Sequence, residues 1–172
     1  SGEIGATPEA KDEFSVAVAK AWEREFADSE TPGTRKLALR TAMVMGAEHG
    51  GVFRGLRRMT RWGLGGAMGD GCQFVSWIHA DDFCRAVAWL IEKRDLSGVV
   101  NLAAPNPLPN CQMMAVFRRV LDVAFGLSTK EWMLEIGAFL MRTETELIIK
   151  SRRVIPDRLV RSGFRFRFEK FT

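Results

Sequence analysis

The chain has 172 residues, 47% of them hydrophobic and 27% charged, and 25 Lys+Arg against 21 Asp+Glu leave a net charge of +4. One globular domain of ~100–200 residues accounts for that length, and the composition excludes disordered, collagenous and disulfide-framework chains. With 12 Phe, 5 Trp and no Tyr, it also excludes any mechanism that needs a phenol.

Pro8 opens a helical stretch with acids in its first turn, where they suit the helix dipole. Phe14, Val18, Ala21, Trp22, Glu25 and Phe26 continue it at helical spacing, and Thr31-Pro32-Gly33 ends it. Residues 36–45 (KLALRTAMVM) read as one strand, apolar enough to be buried on both faces. Residues 46–51 form a loop, and Val52, Phe53, Leu56, Arg57 and Met59 lead a second helix that ends near Trp62.

Five glycines follow among residues 63–71, which calls for positive φ or for close approach of backbone to something else. Residues 73–78 (QFVSWI) read as a short strand. Asp81 or Asp82 opens a helix that ends at Lys93-Arg94, and residues 98–103 (GVVNLA) are a buried strand. After a rigid Pro105-Asn106-Pro107 loop, Asn110 caps the next helix. Residues 131–141 and 143–154 read as two further helices. Pro156 starts a short one closed by Gly163, and Phe164, Phe166 and Phe168 alternate with Arg165 and Arg167 as a one-faced strand. Strands separated by helices predict an α/β sheet with parallel connections and a mostly helical C-terminal tail region.

Acids crowd residues 1–30, and arginine and lysine crowd residues 150–170. Opposite ends of this kind attract each other within one fold or between subunits, and the basic end could also meet a phosphate. Cys72, Cys84 and Cys111 make no C-x-x-C motif, so a metal site is not expected and free thiols point to a reducing compartment. No apolar run reaches the ~20 residues that span a bilayer, and a cytoplasmic location with no membrane partner is expected.

Four motifs carry chemical interest. The glycine loop precedes a strand and lacks a Gly-Lys-Ser/Thr ending, which leaves a substrate-facing loop, a dimer-facing loop or a plain connection. His79, Asp81 and Asp82 sit where a strand passes into a helix. There they either cap that helix or line a cleft. Lys20 is either a surface residue lying along its helix or a cofactor contact. Arg40 and Thr41 lie at a strand's carboxyl end, where α/β sheets bind ligands.

Together KAWERE, LALRTAMVMGAEHGGVF, WGLGGAMGDGCQFVSWIHADD, GVVNLAAPNP and IPDRLVRSGFRFRF resemble, in order, the atypical extended short-chain dehydrogenase/reductase proteins, often labelled sugar-nucleotide epimerase-like. The resemblance runs from about Glu9 to Phe168. It implies a partial Rossmann-like parallel sheet with flanking helices. Residues 1–128 would be a remnant of the α/β domain with substrate-side segments, and residues 129–172 a small C-terminal tail domain. It further implies that NAD(P) serves the parent family. Lys20 and Thr41 would lie at the cofactor, and Gln73, Trp77, His79 and Asp82 along the substrate cleft.

The family's Gly-x-x-Gly-x-x-Gly half has no counterpart in these residues. The tyrosine of the family's Tyr-x-x-x-Lys pair falls on Val16, which cannot donate a proton, so no catalytic residue is assigned. The expectation is a truncated epimerase/dehydratase-like protein without catalytic activity alone and with no cofactor in isolation, a candidate binding or assembly module. The alternative is the C-terminal half of an active NAD(P)-dependent oxidoreductase or epimerase whose N-terminal half is supplied elsewhere. A homo-oligomer, or a partner covering an exposed sheet edge, is expected, with a nucleotide-sugar or phosphate ligand as the candidate small molecule. Nucleic acid is not expected.

Overall fold

The computed structural model describes residues 13–46, 51–128 and 151–172. In chain order these are α1 (Glu13–Asp28), β1 (Leu37–Thr41), β2 (Met43–Met45), α2 (Gly51–Arg61), β3 (Phe74–Val75), β4 (Trp77–His79), α3 (Ala80–Glu92), β5 (Gly98–Leu102), β6 (Leu108–Pro109), α4 (Asn110–Val120) and α5 (Asp157–Arg161). β1 pairs β5 in parallel, β2 pairs β4 in parallel, and β3 pairs β6 antiparallel. The mixed α/β class with parallel strands and flanking helices is therefore present. The helix expected over 131–141 and the part of the 143–154 helix before residue 151 lie outside the described residues, and residues 151–154 are irregular rather than helical.

The expected strand over 36–45 is two strands, because the chain changes partner in its middle. Ala42 N–H donates to Leu102 O on the β5 side, and Met43 N–H donates to Ser76 O beside β4. Nor is it buried on both faces, since Leu39 and Val44 each keep 39% of their surface in solvent. The QFVSWI strand is also divided. Ser76 Oγ donates to Arg152 O at 2.6 Å and accepts from Val154 N–H at 2.8 Å. These two bonds tie Ser76 to the 151–154 segment at the point where β3 ends and β4 begins.

Two apolar groups form the core. Met45, Leu56, Met68, Val75, Trp77, Met113, Met114 and Phe117 fill the space between α2, α4 and the short strands. Ile78, Ala86, Leu90, Val100, Leu102, Leu159 and Phe164 join α3, β5, α5 and the tail. Arg158 knits α5 to β5 by donating to Val99 O and to Ser97 O.

α1 is attached differently. Its apolar stripe faces solvent, with Phe14 78% and Trp22 73% exposed. Polar ties hold it instead: Lys36 Nζ donates to the carbonyls of Phe26, Ala27 and Ser29 at the helix's end. Arg40 makes a two-pronged bond to Glu23, at 2.6 and 2.7 Å.

The Arg40 hydrogen bond and charge hold the Glu23 carboxyl below its ordinary value of 4.5, with partial burial opposing them. A depressed carboxyl stabilises the fold above its unfolded value, and the gain is lost as pH falls through the folded value. Glu23→Gln should therefore lower stability by about 0.5 kcal/mol at neutral pH. The difference from the parent chain should shrink as pH falls below 4.5 and vanish once the parent's carboxyl is protonated. Urea unfolding of both chains at several pH values would show it, and a gap that persists in acid would refute the assignment.

Candidate functional site

The WIHADD segment forms the passage from β4 into α3, and its side chains clasp the tail. His79 is the N-cap of α3, its Nδ1 accepting from Asp81 N–H at 3.1 Å. The cap is thus His79 and not Asp81. Asp82 is fully buried. Its Oδ2 accepts from Phe168 N–H at 2.8 Å, both oxygens accept from Arg167 N–H at 3.0 Å, and Oδ1 pairs with Arg85. Arg85 also donates to Arg165 O and lies over the Phe164 ring. His79 stacks on Phe168 with ring centroids 3.8 Å apart.

This clasp explains why the RFRF stretch is not a strand. Asp82 takes the N–H groups of residues 167 and 168, so no ladder forms there. The Phe and Arg alternation is nonetheless used, since Phe164 is buried in the core and Arg165 and Arg167 face solvent.

Trp77 is buried, donates Nε1–H to Asn106 O, and meets Phe171 edge-on at 4.9 Å. Gln73 is buried and donates Nε2–H to Met68 O at 2.8 Å. Asn110 Oδ1 accepts from Met68 N–H at 2.9 Å, so two side chains satisfy both polar groups of one loop residue. Asn110 therefore does not cap α4. Pro109 holds that position and makes no side-chain cap. No signal in the sequence marked Met68 as the point on which Gln73 and Asn110 converge.

Lys20 is exposed on α1, and Thr41 is exposed at the end of β1. Arg40 points toward α1, and strand alternation turns Thr41 to the opposite face. Lys20 and Thr41 are therefore not brought together, and Val16 is half-buried one helical turn from Lys20. Among the described residues these side chains do not by themselves fit a whole dinucleotide, which needs donors for two phosphates and two riboses. No group of three or more His, Cys, Asp or Glu that could hold a metal occurs among the described residues. No described helix is long and apolar enough to cross a membrane.

The glycine loop makes a close approach to backbone. Gly66 N–H donates to Leu127 O and Leu127 N–H to Gly63 O, at 3.1 and 2.8 Å. A Cβ at Gly66 would sit 2.5 Å from the backbone of Leu127 and Ser128, and one at Gly126 would sit 2.5 Å from Gly65. Two peptide chains touch here where neither can carry a side chain.

The comparisons agree with this architecture. A family profile described as Domain of unknown function (DUF1731) matches residues 131–172. An epimerase family protein of Mycobacterium leprae is 31% identical over 153 residues, covering 89% of this chain and 49% of the relative. The epimerase family protein YfhF of Bacillus subtilis is 29% identical over 157 residues, 91% of this chain and 50% of its own. Among solved structures, the human epimerase family protein SDR39U1 with NADPH superposes with a TM-score of 0.79 at 25% identity. That match covers 91% of this chain and 52% of the human one. The nucleoside-diphosphate sugar epimerase of Corynebacterium glutamicum gives 0.70 at 26% identity, over 92% of this chain and 29% of its own.

Replacing Asp82 by alanine takes the shared acceptor from two part-buried N–H groups and from Arg85. It should cost about 3 kcal/mol of unfolding free energy. Amide exchange at Arg167 and Phe168 should accelerate in the same variant. An unchanged urea midpoint would refute the clasp. The chain is thus similar to epimerase family proteins and shares their fold, and it spans about half the length of the curated relatives it matches.

Proposed function

We propose that these residues form the substrate-side half of an NAD(P)-dependent epimerase-like fold and carry out no hydride transfer alone. The observation that carries this reading is the open face at β1. The strand pairs β5 on one side, and among the described residues no strand pairs its other edge. Parallel strands are ordinarily covered on both sides. Leu39 on β1, Val44 on β2, and Phe14 and Trp22 on α1 all stand in solvent. The length of the relatives supports the same reading, since an equal length of polypeptide lies outside the match. A complementary half, in an upstream part of the gene or in another chain, would supply the dinucleotide cradle and make this the C-terminal half of an active oxidoreductase or epimerase.

Within this half, Gln73, Trp77 and Asp82 are spent on the scaffold. His79 is only half-buried, and its Nε2 has no hydrogen bond among the described residues. Contact with a nucleotide-sugar or other phosphate-bearing ligand therefore falls to His79 on this wall and to Thr41 at the open strand end. Lys20 stands in reserve for a cofactor ribose, while Val16 offers no proton. The three free thiols suit a reducing, cytoplasmic setting.

A ligand that binds only the folded chain raises its stability by mass action. Thermal-shift titration of the 172-residue chain with NAD+, NADP+ and UDP-glucose should show no shift with either dinucleotide; a clear NADP+ shift would overturn this reading. An uncovered apolar edge also invites pairing. Sedimentation should find the chain associated with itself, and Leu39→Asp with Trp22→Asp should make it monomeric. A parent chain that is already a monodisperse monomer would count against self-pairing.

A further inference from the structure

Two cysteines outside the site already described flank the point where the glycine loop meets α4. β3 and β6 pair with Phe74 opposite Pro109 and Val75 opposite Leu108. One residue further on, this register sets Gln73 opposite Asn110, and Asn110 N–H donates to Gln73 O at 2.9 Å. The next residues outward are Cys72 and Cys111; Gln73 and Asn110 are buried, while both cysteines are exposed.

The paired strands stop at Phe74 and Pro109, and Cys111 is the second residue of α4. α4 begins at this point, and Cys111 N–H turns to Gly71 O at 3.0 Å. That bond and ordinary covalent geometry keep the Cα atoms of Cys72 and Cys111 within about 7 Å. A Cβ placed on Gly71 would lie 3.1 Å from Cys111 Cβ, so the Cys111 side chain starts against this same stretch of backbone. Disulfides bridge Cα separations of ~4.4–6.8 Å.

We propose that Cys72 and Cys111 are a dithiol that closes reversibly to an intramolecular disulfide by exchange with a low-molecular-weight disulfide such as oxidised glutathione. One cysteine loses its proton and its sulfur attacks the oxidant. The oxidant's S–S bond breaks, and one glutathione leaves as a thiol with that proton. The second cysteine, also deprotonated, attacks the mixed disulfide and releases the other glutathione. The two protein thiols lose two electrons and two protons, and glutathione disulfide becomes two glutathione thiols. The bridge fastens the end of the glycine loop to the first turn of α4, beside the Gln73–Met68–Asn110 bonds. Cys84, exposed on α3, belongs to a different part of the molecule and serves as an internal control.

The test is to incubate the full chain with oxidised glutathione, block remaining thiols, digest it and identify linked peptides by mass. A Cys72–Cys111 link, lost on reduction with dithiothreitol, is expected, with Cys84 unlinked to either. Cys72→Ser should leave a persistent glutathione adduct on Cys111, and Cys111→Ser one on Cys72. Separate glutathione adducts on both cysteines of the parent chain with no link between them, or a link that recruits Cys84, would overturn the proposal.

Discussion

The buried carboxylate of Asp82 is the constraint on which the arrangement around α3 depends. A carboxylate withdrawn from water requires donors on its lone pairs. It finds them in Arg85 and in the backbone of Arg167 and Phe168. Those bonds set the path of the tail, which lets Phe164 reach the core and lays Phe168 on His79. Further along, the tail brings Phe171 to Trp77, and Asn106 Nδ2–H donates to Glu169 O. A single acidic side chain thereby organises α3, the end of β4 and the loop after β5.

The same economy does not extend to the other side of the sheet. α1 is tied by Lys36 and Arg40 at its polar flank, while its aromatic stripe points outward. Ordinarily the apolar stripe anchors a helix and the polar side is incidental. Under the proposed reading, the complementary half would cover that stripe.

Much of this was legible from residue order. The helices at α2, α3 and α4, the strand β5 (though only Val100 and Leu102 of it are buried) and the turn at Gly163 follow from periodicity and punctuation that local chemistry enforces. What escaped notice depends on distant partners. The division at Ala42 arises because Ala42 bonds Leu102 at the end of β5 while Met43 bonds Ser76 beside β4, two separate partners. The division at Ser76 arises because a hydroxyl meets residues 152 and 154. The RFRF alternation was visible, but alternation reports only which side is apolar, not whether a ladder partner exists. Asn110 looked like a helix cap because its type and place suit one; a loop residue more than forty positions earlier claimed its oxygen instead. In the candidate site, the residue types were legible and their obligations were not: Gln73, Trp77 and Asp82 could be singled out, but not the bonds that commit them to the scaffold.

The ties that close the molecule also join positions far apart in the chain: Ser76 to Val154, Asp82 to Phe168, Arg158 to Ser97. Contacts of such long range make folding slow, because the entropy of closing a large loop is spent before any bond rewards it. α3 is translated with Arg85 but well before Arg167 and Phe168, so on the ribosome the Asp82 carboxylate keeps water in place of those two backbone donors. For this chain the order of synthesis sets when the interior can dry, and the last turn of the tail is the step that completes it.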